Sequence, residues 1–227
     1  MRIVFFTGAG ASAESGIRTF RDSGGLWEEY RVEDVATPEA FARDPARVLR
    51  FYNERRSQVR QARPNAAHRA MAAAEAFAHV DVVTQNIDDL HERAGSSRVL
   101  HLHGEILKAR STLDPRIVVP VQGDALELGD RCPLGAQLRP HIVWFGEEVP
   151  LLADAAALVA RADVLVVVGS SLQVWPAAGL VDVAAPGTEI HLVDPQESGA
   201  AAHLTHWREP ASTGVPSVVD LLRVRAG

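Results

Sequence analysis

The chain has 227 residues, 23 Lys and Arg against 29 Asp and Glu, a formal net charge of −6, 47% hydrophobic and 23% charged residues. That composition excludes global disorder and fits one large globular domain, or one with a small appended lobe. The acidic balance argues against non-specific nucleic-acid binding, which needs a basic surface. A single cysteine, Cys132, excludes an intramolecular disulfide and fits a reducing compartment.

In chain order, the first apolar run is Ile3–Thr7, which breaks at Gly8-Ala9-Gly10. It is too short for the core of a signal peptide, and no stretch approaches the ~20 apolar residues of a membrane span. The cytoplasm is the expected address. Ser12–Gly16 is expected to begin a helix. Residues 30–63, rich in Arg and Glu with Pro38 and Pro45 as breakers, read as helical. Ala66–Ala78 reads as a helix, with Pro64 and Asn65 as its start signal. Val80–Thr84 runs into Gln85-Asn86-Ile87-Asp88, and Val99–Leu102 runs into His103-Gly104. Residues 107–142 read as irregular, with short Val-rich pieces (Ile117–Val119, Val121) and Pro/Gly punctuation. Leu151–Arg161 is a further helix, Val164–Val168 runs into Gly169-Ser170-Ser171, and Glu189–Val193 runs into Asp194-Pro195.

Four or five apolar residues bounded by turn formers read as buried strands, and strands alternating with helices imply an α/β fold with a parallel sheet covered on both faces. Ligands of such sheets bind beyond the carboxyl ends of the strands. All five runs end there in glycine or polar residues. The expected organisation is a Rossmann-type lobe of residues 1–29, 64–106 and 143–227. A smaller lobe is made of two insertions, 30–63 and 107–142.

Gly8-Ala9-Gly10 follows a strand, where glycines let backbone N–H groups approach a pyrophosphate. With Gly16 the spacing is G-x-G-x₅-G, not G-x-G-x-x-G, so a cofactor loop and a tight structural turn both stay open. Asp194 is open in the same way, between holding a ribose hydroxyl and forming a turn before Pro195.

The longer strings are specific. Thr7–Arg21, Thr84–Asp88, His101–Glu105, Arg139–Glu147 and Gly169–Ser171 resemble, in order, the motifs of the sirtuins, NAD-dependent protein-lysine deacylases. The resemblance covers nearly the whole chain and implies a Rossmann-type lobe with a smaller inserted lobe. It also implies a reaction. The acyl-lysine carbonyl oxygen attacks the ribose carbon bearing nicotinamide, a general base activates a ribose hydroxyl against the resulting imidate, and water releases lysine and acyl-ADP-ribose. The resemblance places the base at His103, a neutral imidazole suited to that role near neutral pH, and adds Asn86 as a second catalytic residue. His101, two residues earlier, reads as structural.

By the same resemblance Asp88 and Ile87 hold the nicotinamide carboxamide, and Gln85 and Asn86 hold and orient the ribose. Gly8, Ala9, Gly10, Ser12, Glu14, Phe20 and Arg21 form the cofactor loop. Gly169, Ser170 and Ser171 approach the phosphates and adenosine ribose, and Asp194 and Ala211 complete the cofactor set. One position departs from the family, since Leu192 stands where Asn is usual two residues before the acid. The segment Ile142, Val143, Phe145, Gly146 and Glu147 implies pairing with an acyl-lysine protein or peptide as an added strand. Neither nucleic acid nor membrane is an expected partner.

The family usually carries four zinc-binding cysteines. Their places fall near Lys108–Ser111 and Arg131–Pro133, where only Cys132 remains, so no zinc is expected. Apolar burial of Leu113, Ile117, Val118, Val119, Val121, Leu126 and Leu128 is expected to hold the lobe instead.

Tyr52 and Arg55 stand at i, i+3, on one face of a helix. From spacing they are a carboxylate clamp or part of a solvated basic face with Arg50, Arg56 and Arg60. Tyr-x-x-Arg, with Ala36 before Thr37-Pro38, resembles sirtuins that remove acidic acyl groups, which implies succinyl or malonyl removal beside deacetylation. The competing readings are an ADP-ribosyltransferase or NAD glycohydrolase on the same scaffold, and a non-catalytic NAD-binding module. A hydride-transferring dehydrogenase would need a different glycine spacing.

Overall fold

The computed structural model describes residues 1–17, 26–27, 30–123, 125–170, 176–196 and 204–227. Strand β1 (Arg2–Thr7) leads into the single-turn helix α1 (Gly10–Ala13). Then come β2 (Leu26–Trp27), β3 (Tyr30–Arg31), α2 (Val32–Val35), α3 (Pro38–Arg43), α4 (Pro45–Gln61) and α5 (Ala66–Ala74). Strand β4 (His79–Thr84) is followed by α6 (Leu90–Ala94), β5 (Val99–His101), β6 (Gly104–Ser111), β7 (Val118–Pro120) and β8 (Leu138–Ile142). The chain continues through α7 (Leu152–Val159), β9 (Val164–Val168), a 3₁₀ helix at Ala177–Val183, β10 (Glu189–Val193), β11 (Thr205–Trp207) and α8 (Ala211–Ala226).

Among the described residues six strands form one parallel sheet, in the order β11-β10-β9-β1-β4-β5. All five apolar runs are strands of it. β1 is central and buried on both faces, because alternate residues enter different cores. Ile3 and Phe5 pack with Met71 of α5 and Val215, Val218 and Leu222 of α8. Val4 and Phe6 pack with Ala155 and Val159 of α7 and with Leu180. From β1 the chain builds outward through β4 and β5, then returns to β9 on the other side and continues outward through β10 and β11. The crevice at the carboxyl ends of β1 and β9 is therefore the topological switch point.

The prolines read as breakers are helix starts. Pro38 and Pro45 each occupy the first turn, where a missing N–H costs nothing. The residues before them are the caps: Thr37 Oγ1 accepts from the Ala40 amide and Asp44 Oδ1 from the Arg47 amide, both at 3.0 Å. The expected helix at Ser12–Gly16 starts earlier and is shorter. It spans Gly10–Ala13, and Gly16 closes the turn at φ 85°.

Beyond β5 the chain forms a three-stranded antiparallel sheet, β7-β6-β8, so residues 107–142 are more regular than their sequence indicates. The expectation for their core needs correction. Leu113, Leu128 and Val118 are exposed, at 67%, 55% and 37%. On β7 the side chains alternate, so Val119 turns inward while Val118 and Pro120 face out. The cluster that forms contains Val121, Leu126 and Leu138 with Leu49 of α4, Ala109 of β6 and Cys132, and Ile117 and Val119 pack against it. No helix among the described residues is long and apolar enough to cross a membrane.

Candidate active site

The loops after β1 and β9 touch backbone to backbone. A Cβ on Gly10 would lie 2.6 Å from Gly169 Cα, and one on Gly169, at φ 57°, would lie 2.5 Å from Gly10 Cα. Gly10 N–H donates to Gly169 O and Gly8 N–H to Val168 O. The structural-turn reading therefore accounts for these glycines by itself, and the same close approach exposes the loop's edge at the switch point. Ala9 is exposed at that edge. Phe20, Arg21 and Ser171 lie outside the described residues.

The loop after β4 is held from beneath by a buried polar network. Thr7 Oγ1 donates to Thr84 Oγ1 at 2.8 Å, and Thr84 Oγ1 accepts the Asn86 amide at 3.0 Å. Asn86 spends its side-chain NH₂ on Gly8 O at 3.0 Å and Ser12 Oγ at 3.1 Å. What Asn86 offers a ligand is thus its amide carbonyl, an acceptor for a hydroxyl. Ser12 Oγ donates to Asp88 Oδ2 at 2.9 Å, and Asp88 Oδ1 accepts the Leu90 amide. Burial raises the Asp88 carboxyl above its ordinary range, against the pull of those two donors. Ile87 is half-buried, with its carbonyl accepting the Ile106 amide. Gln85 Nε2 donates to Ser170 Oγ at 3.1 Å, which links the β4 and β9 loops.

Two histidines two residues apart have their pKa values moved in opposite directions. His103 Nδ1 lies 3.0 Å from Gln85 O. A carbonyl only accepts, so Nδ1 carries the proton and Nε2 presents a lone pair. Burial holds the His103 pKa below the ordinary imidazole value, opposed only by that hydrogen bond. His101 faces Asn86 O through Nδ1 and Glu92 Oε1 at 2.7 Å through Nε2. Both partners are acceptors, and although burial disfavours its charge, Glu92 raises its pKa on balance. His101 has both ring nitrogens turned to acceptors, and His103 is the imidazole with a basic nitrogen to use.

His68 is a residue that the sequence reading missed. It closes the capping box of α5 with Asn65, and Nε2 reaches Ser12 Oγ at 3.5 Å. Burial, with a small contribution from Arg69, lowers its pKa to about 4. The Asn65-x-x-His68 spacing at a helix start was its visible signal.

Of the acyl candidates, Tyr52 and Arg55 are on α4, and Ala36 directly follows α2. Tyr52 is fully buried and Arg55 is 5% exposed, so these two residues do not belong to a solvated basic face. Arg56 is buried as well, donating to Ile106 O, while Arg50 and Arg60 are exposed. The Arg55 guanidinium stands 3.9 Å over the Phe51 ring. Trp144 Nε1–H donates to Tyr52 Oη at 3.0 Å. Ala36 is buried in the same cluster as Tyr52, Ile142 and Trp144.

The segment after β8 is more committed than an open strand edge. Val143 N–H donates to His103 O, Phe145 N–H to Ala36 O and Glu147 N–H to Trp144 O. The Glu147 carboxylate accepts from Arg110, from two nitrogens of Arg139 and from the Trp144 amide. Exposed Phe145 and Gly146, at φ 88°, form the outer turn. These bonds occupy the amides of Val143, Trp144, Phe145 and Glu147, and they make the Glu147 side chain a structural partner.

Glu14 Oε2 accepts the Ser212 amide at 2.9 Å, holding the first turn of α8. Ala211 is buried with its side chain in the core, so only its backbone can face a ligand. Asp194 is buried and accepts the Gln196 amide, the turn geometry expected before Pro195. Leu192 is core, 1% exposed, in the cluster with Val167 and Ile190.

The site fits a dinucleotide. Its glycine turns meet at the switch point, and acceptors and donors converge beside them. The cluster around Cys132 does not fit a structural zinc. Cys132 is packed among aliphatic side chains, and no group of three or more His, Cys, Asp or Glu among the described residues could hold a metal.

A doubly wound sheet with this crevice, and a neutral imidazole beside a buried Asn and Asp, defines an NAD-binding α/β enzyme. Residues 8–176 match the Sir2 family. The chain is 51% identical over 204 residues, 90% of its length and 98% of the relative's, to an NAD-dependent protein deacylase of Aggregatibacter actinomycetemcomitans. It is 48% identical to one of Bacteroides thetaiotaomicron, over 97% of each chain. A solved Sir2 homologue–NAD complex matches 100% of this chain and 91% of its own, with 40% identity and a TM-score of 0.90. A Sir2 mutant solved with a deacetylated p53 peptide and 3′-O-acetyl ADP-ribose matches with 31% identity and a TM-score of 0.82, over 96% and 92% of the two chains. The chain belongs to the Sir2 family.

Proposed function

We propose that the chain is an NAD-dependent protein-lysine deacylase that removes acetyl groups and also succinyl and malonyl groups, releasing nicotinamide and O-acyl-ADP-ribose, and that it works in the cytoplasm. The observation that carries the reading is the tautomer of His103. Gln85 O accepts a hydrogen bond from Nδ1–H, so Nε2 is the acceptor at the mouth of a loop held by Asn86, Ser12 and Asp88. NAD supplies the ribosyl centre from which nicotinamide is displaced. Asp88 and Ile87 orient the nicotinamide, the Asn86 carbonyl and Gln85 orient the ribose, and His103 Nε2 takes the proton of a ribose hydroxyl. Gly8, Gly10, Gly169 and Ser170 border the phosphates. Glu14, Asp194 and Ala211 lie toward the adenosine. Val143 O and Phe145 O receive the substrate backbone. Tyr52 and Arg55 receive the distal carboxylate of an acidic acyl group, with Ala36 leaving room for it. Residues 30–63 and 107–142 serve as the smaller lobe.

The buried position of Tyr52 and Arg55 supports the acidic-acyl reading, because a desolvated guanidinium discriminates charge more sharply than an exposed one. Turnover of acetyl-, succinyl- and malonyl-lysine peptides with labelled NAD tests the whole reading. The expected products are free lysine, nicotinamide and acyl-ADP-ribose from all three. Plain ADP-ribose or ADP-ribosylated protein in their place would make the chain a glycohydrolase or transferase.

A further inference from the structure

Trp144 sits inside the substrate motif, yet none of the roles above uses it. It is 3% exposed, and its indole packs against two side chains. The Arg139 guanidinium lies 3.3 Å from its ring centroid, and the Phe41 ring packs at 5.4 Å. Its backbone amide donates to Glu147, whose carboxylate grips Arg139, and Arg139 Nη2 also donates to Ile142 O. These contacts orient the indole, and its N–H points at Tyr52 Oη on α4, 3.0 Å distant.

An indole nitrogen only donates. In this pair Tyr52 Oη must therefore accept, and the phenol's own proton must point in another direction. A hydroxyl that accepts one hydrogen bond becomes a better donor in the next, because the chain of bonds polarises. A donor is the polarity that a carboxylate requires. An acetyl group presents a methyl at the same depth and asks nothing of the phenol.

We infer that Trp144 is a positioning residue for acyl selection, which fixes the Tyr52 hydroxyl as a donor toward the distal carboxylate of a dicarboxylic acyl-lysine. The inference rests on the reading of Tyr52 and Arg55 given above. Arg139 and Glu147 are the strut behind the indole, so the preference for acidic acyl groups is built jointly by α4 and the segment after β8.

The test uses kcat and KM for succinyl- and acetyl-lysine peptides with the parent, Trp144→Phe, Tyr52→Phe and the double variant. Phe keeps an aromatic ring in the core and removes only the N–H and part of the bulk. Trp144→Phe is expected to lower the succinyl-to-acetyl ratio of kcat/KM about tenfold, through the succinyl KM rather than kcat. In the Tyr52→Phe background the same change is expected to have no further effect on that ratio. Equal losses on both peptides, or additive losses in the double variant, would make Trp144 a packing residue and overturn the inference. Tyr52→Phe separates the two levels. If it leaves the ratio unchanged, the acidic-acyl reading itself fails. If it lowers the ratio while Trp144→Phe does not, only the role of Trp144 fails. Should Trp144→Phe not fold, the indole N–H resonance of Trp144 in the parent protein decides. It is expected to shift on succinyl-peptide binding and in Tyr52→Phe, and to stay in place on acetyl-peptide binding. A resonance that ignores the succinyl peptide would overturn the inference.

Discussion

Glu147→Gln removes one negative charge and almost no volume, and it asks whether this carboxylate serves the substrate or the fold. Glu147 meets Arg139 at 2.6 Å and Arg110 at 2.9 Å, with side chains 20%, 10% and 12% exposed respectively. Its carboxyl is held below the ordinary range, because the hydrogen bonds and charge of Arg139 and the Trp144 amide outweigh the opposite effect of burial. Breaking a buried pair by removing one partner costs about 3–5 kcal/mol. Partial exposure here and the acceptor oxygen kept by Gln reduce that to about 2–3 kcal/mol. At about 2–4 °C per kcal/mol for a chain of this size, the melting temperature should fall about 4–12 °C, measured by calorimetry at neutral pH. The sign with pH is fixed. A depressed carboxyl contributes stability that is complete above its unfolded value, near ~4.3, and is lost as pH falls through its folded value. The gap between parent and variant should therefore close on acidification. A variant that melts with the parent but shows a raised peptide KM would mean that the carboxylate faces the substrate, and would refute the strut assignment.

His103→Ala should reduce deacylation by about 10²–10⁴-fold while NAD still binds, measured by titration calorimetry, since the imidazole acts only after the cofactor is seated. The acid limb of kcat/KM should have its midpoint below the ordinary imidazole value of 6.5, because burial lowers the His103 pKa and the neutral form persists as pH falls; a midpoint above 6.5 would contradict the assignment. Arg55→Met should lower the succinyl-to-acetyl ratio by the equivalent of about 2–5 kcal/mol, the penalty for a desolvated carboxylate left without its charged partner; equal losses on the two peptides would count against it. Gly104→Ala should be poorly tolerated, because its Cβ would lie 2.1 Å from His141 O at a φ of 84°, and a variant that melts and turns over like the parent would show that β6 and β8 part more readily than this contact implies. Metal analysis of purified protein should find no stoichiometric zinc, and about one zinc per chain would contradict the packing of Cys132.

Features that rest on local periodicity or on contiguous motifs are readable from residue order alone. The strands β1, β4, β5, β9 and β10 were legible because buried parallel strands are short apolar runs between turn formers. His103 and the loop after β4 were legible because their motifs are contiguous. The helix α8 was not, since Gly214 and Pro216 disguise its first turns, and Gly214 earns its place only by lying against Val193, where a Cβ would come within 2.5 Å of that side chain. Nor was β11, whose Thr205–Trp207 is too short and polar to stand out before it pairs with β10. Contacts across the fold supplied the rest. They gave Gly10 and Gly169 a contact reason across the sheet, set His101 between two acceptors and left His103 Nε2 open, put Val118 outside and Cys132 inside, and turned the Trp144 N–H onto Tyr52 from 92 residues away. These outcomes depend on which groups meet across long sequence separations and on which polar atoms lose water there, and neither quantity is written in local residue order.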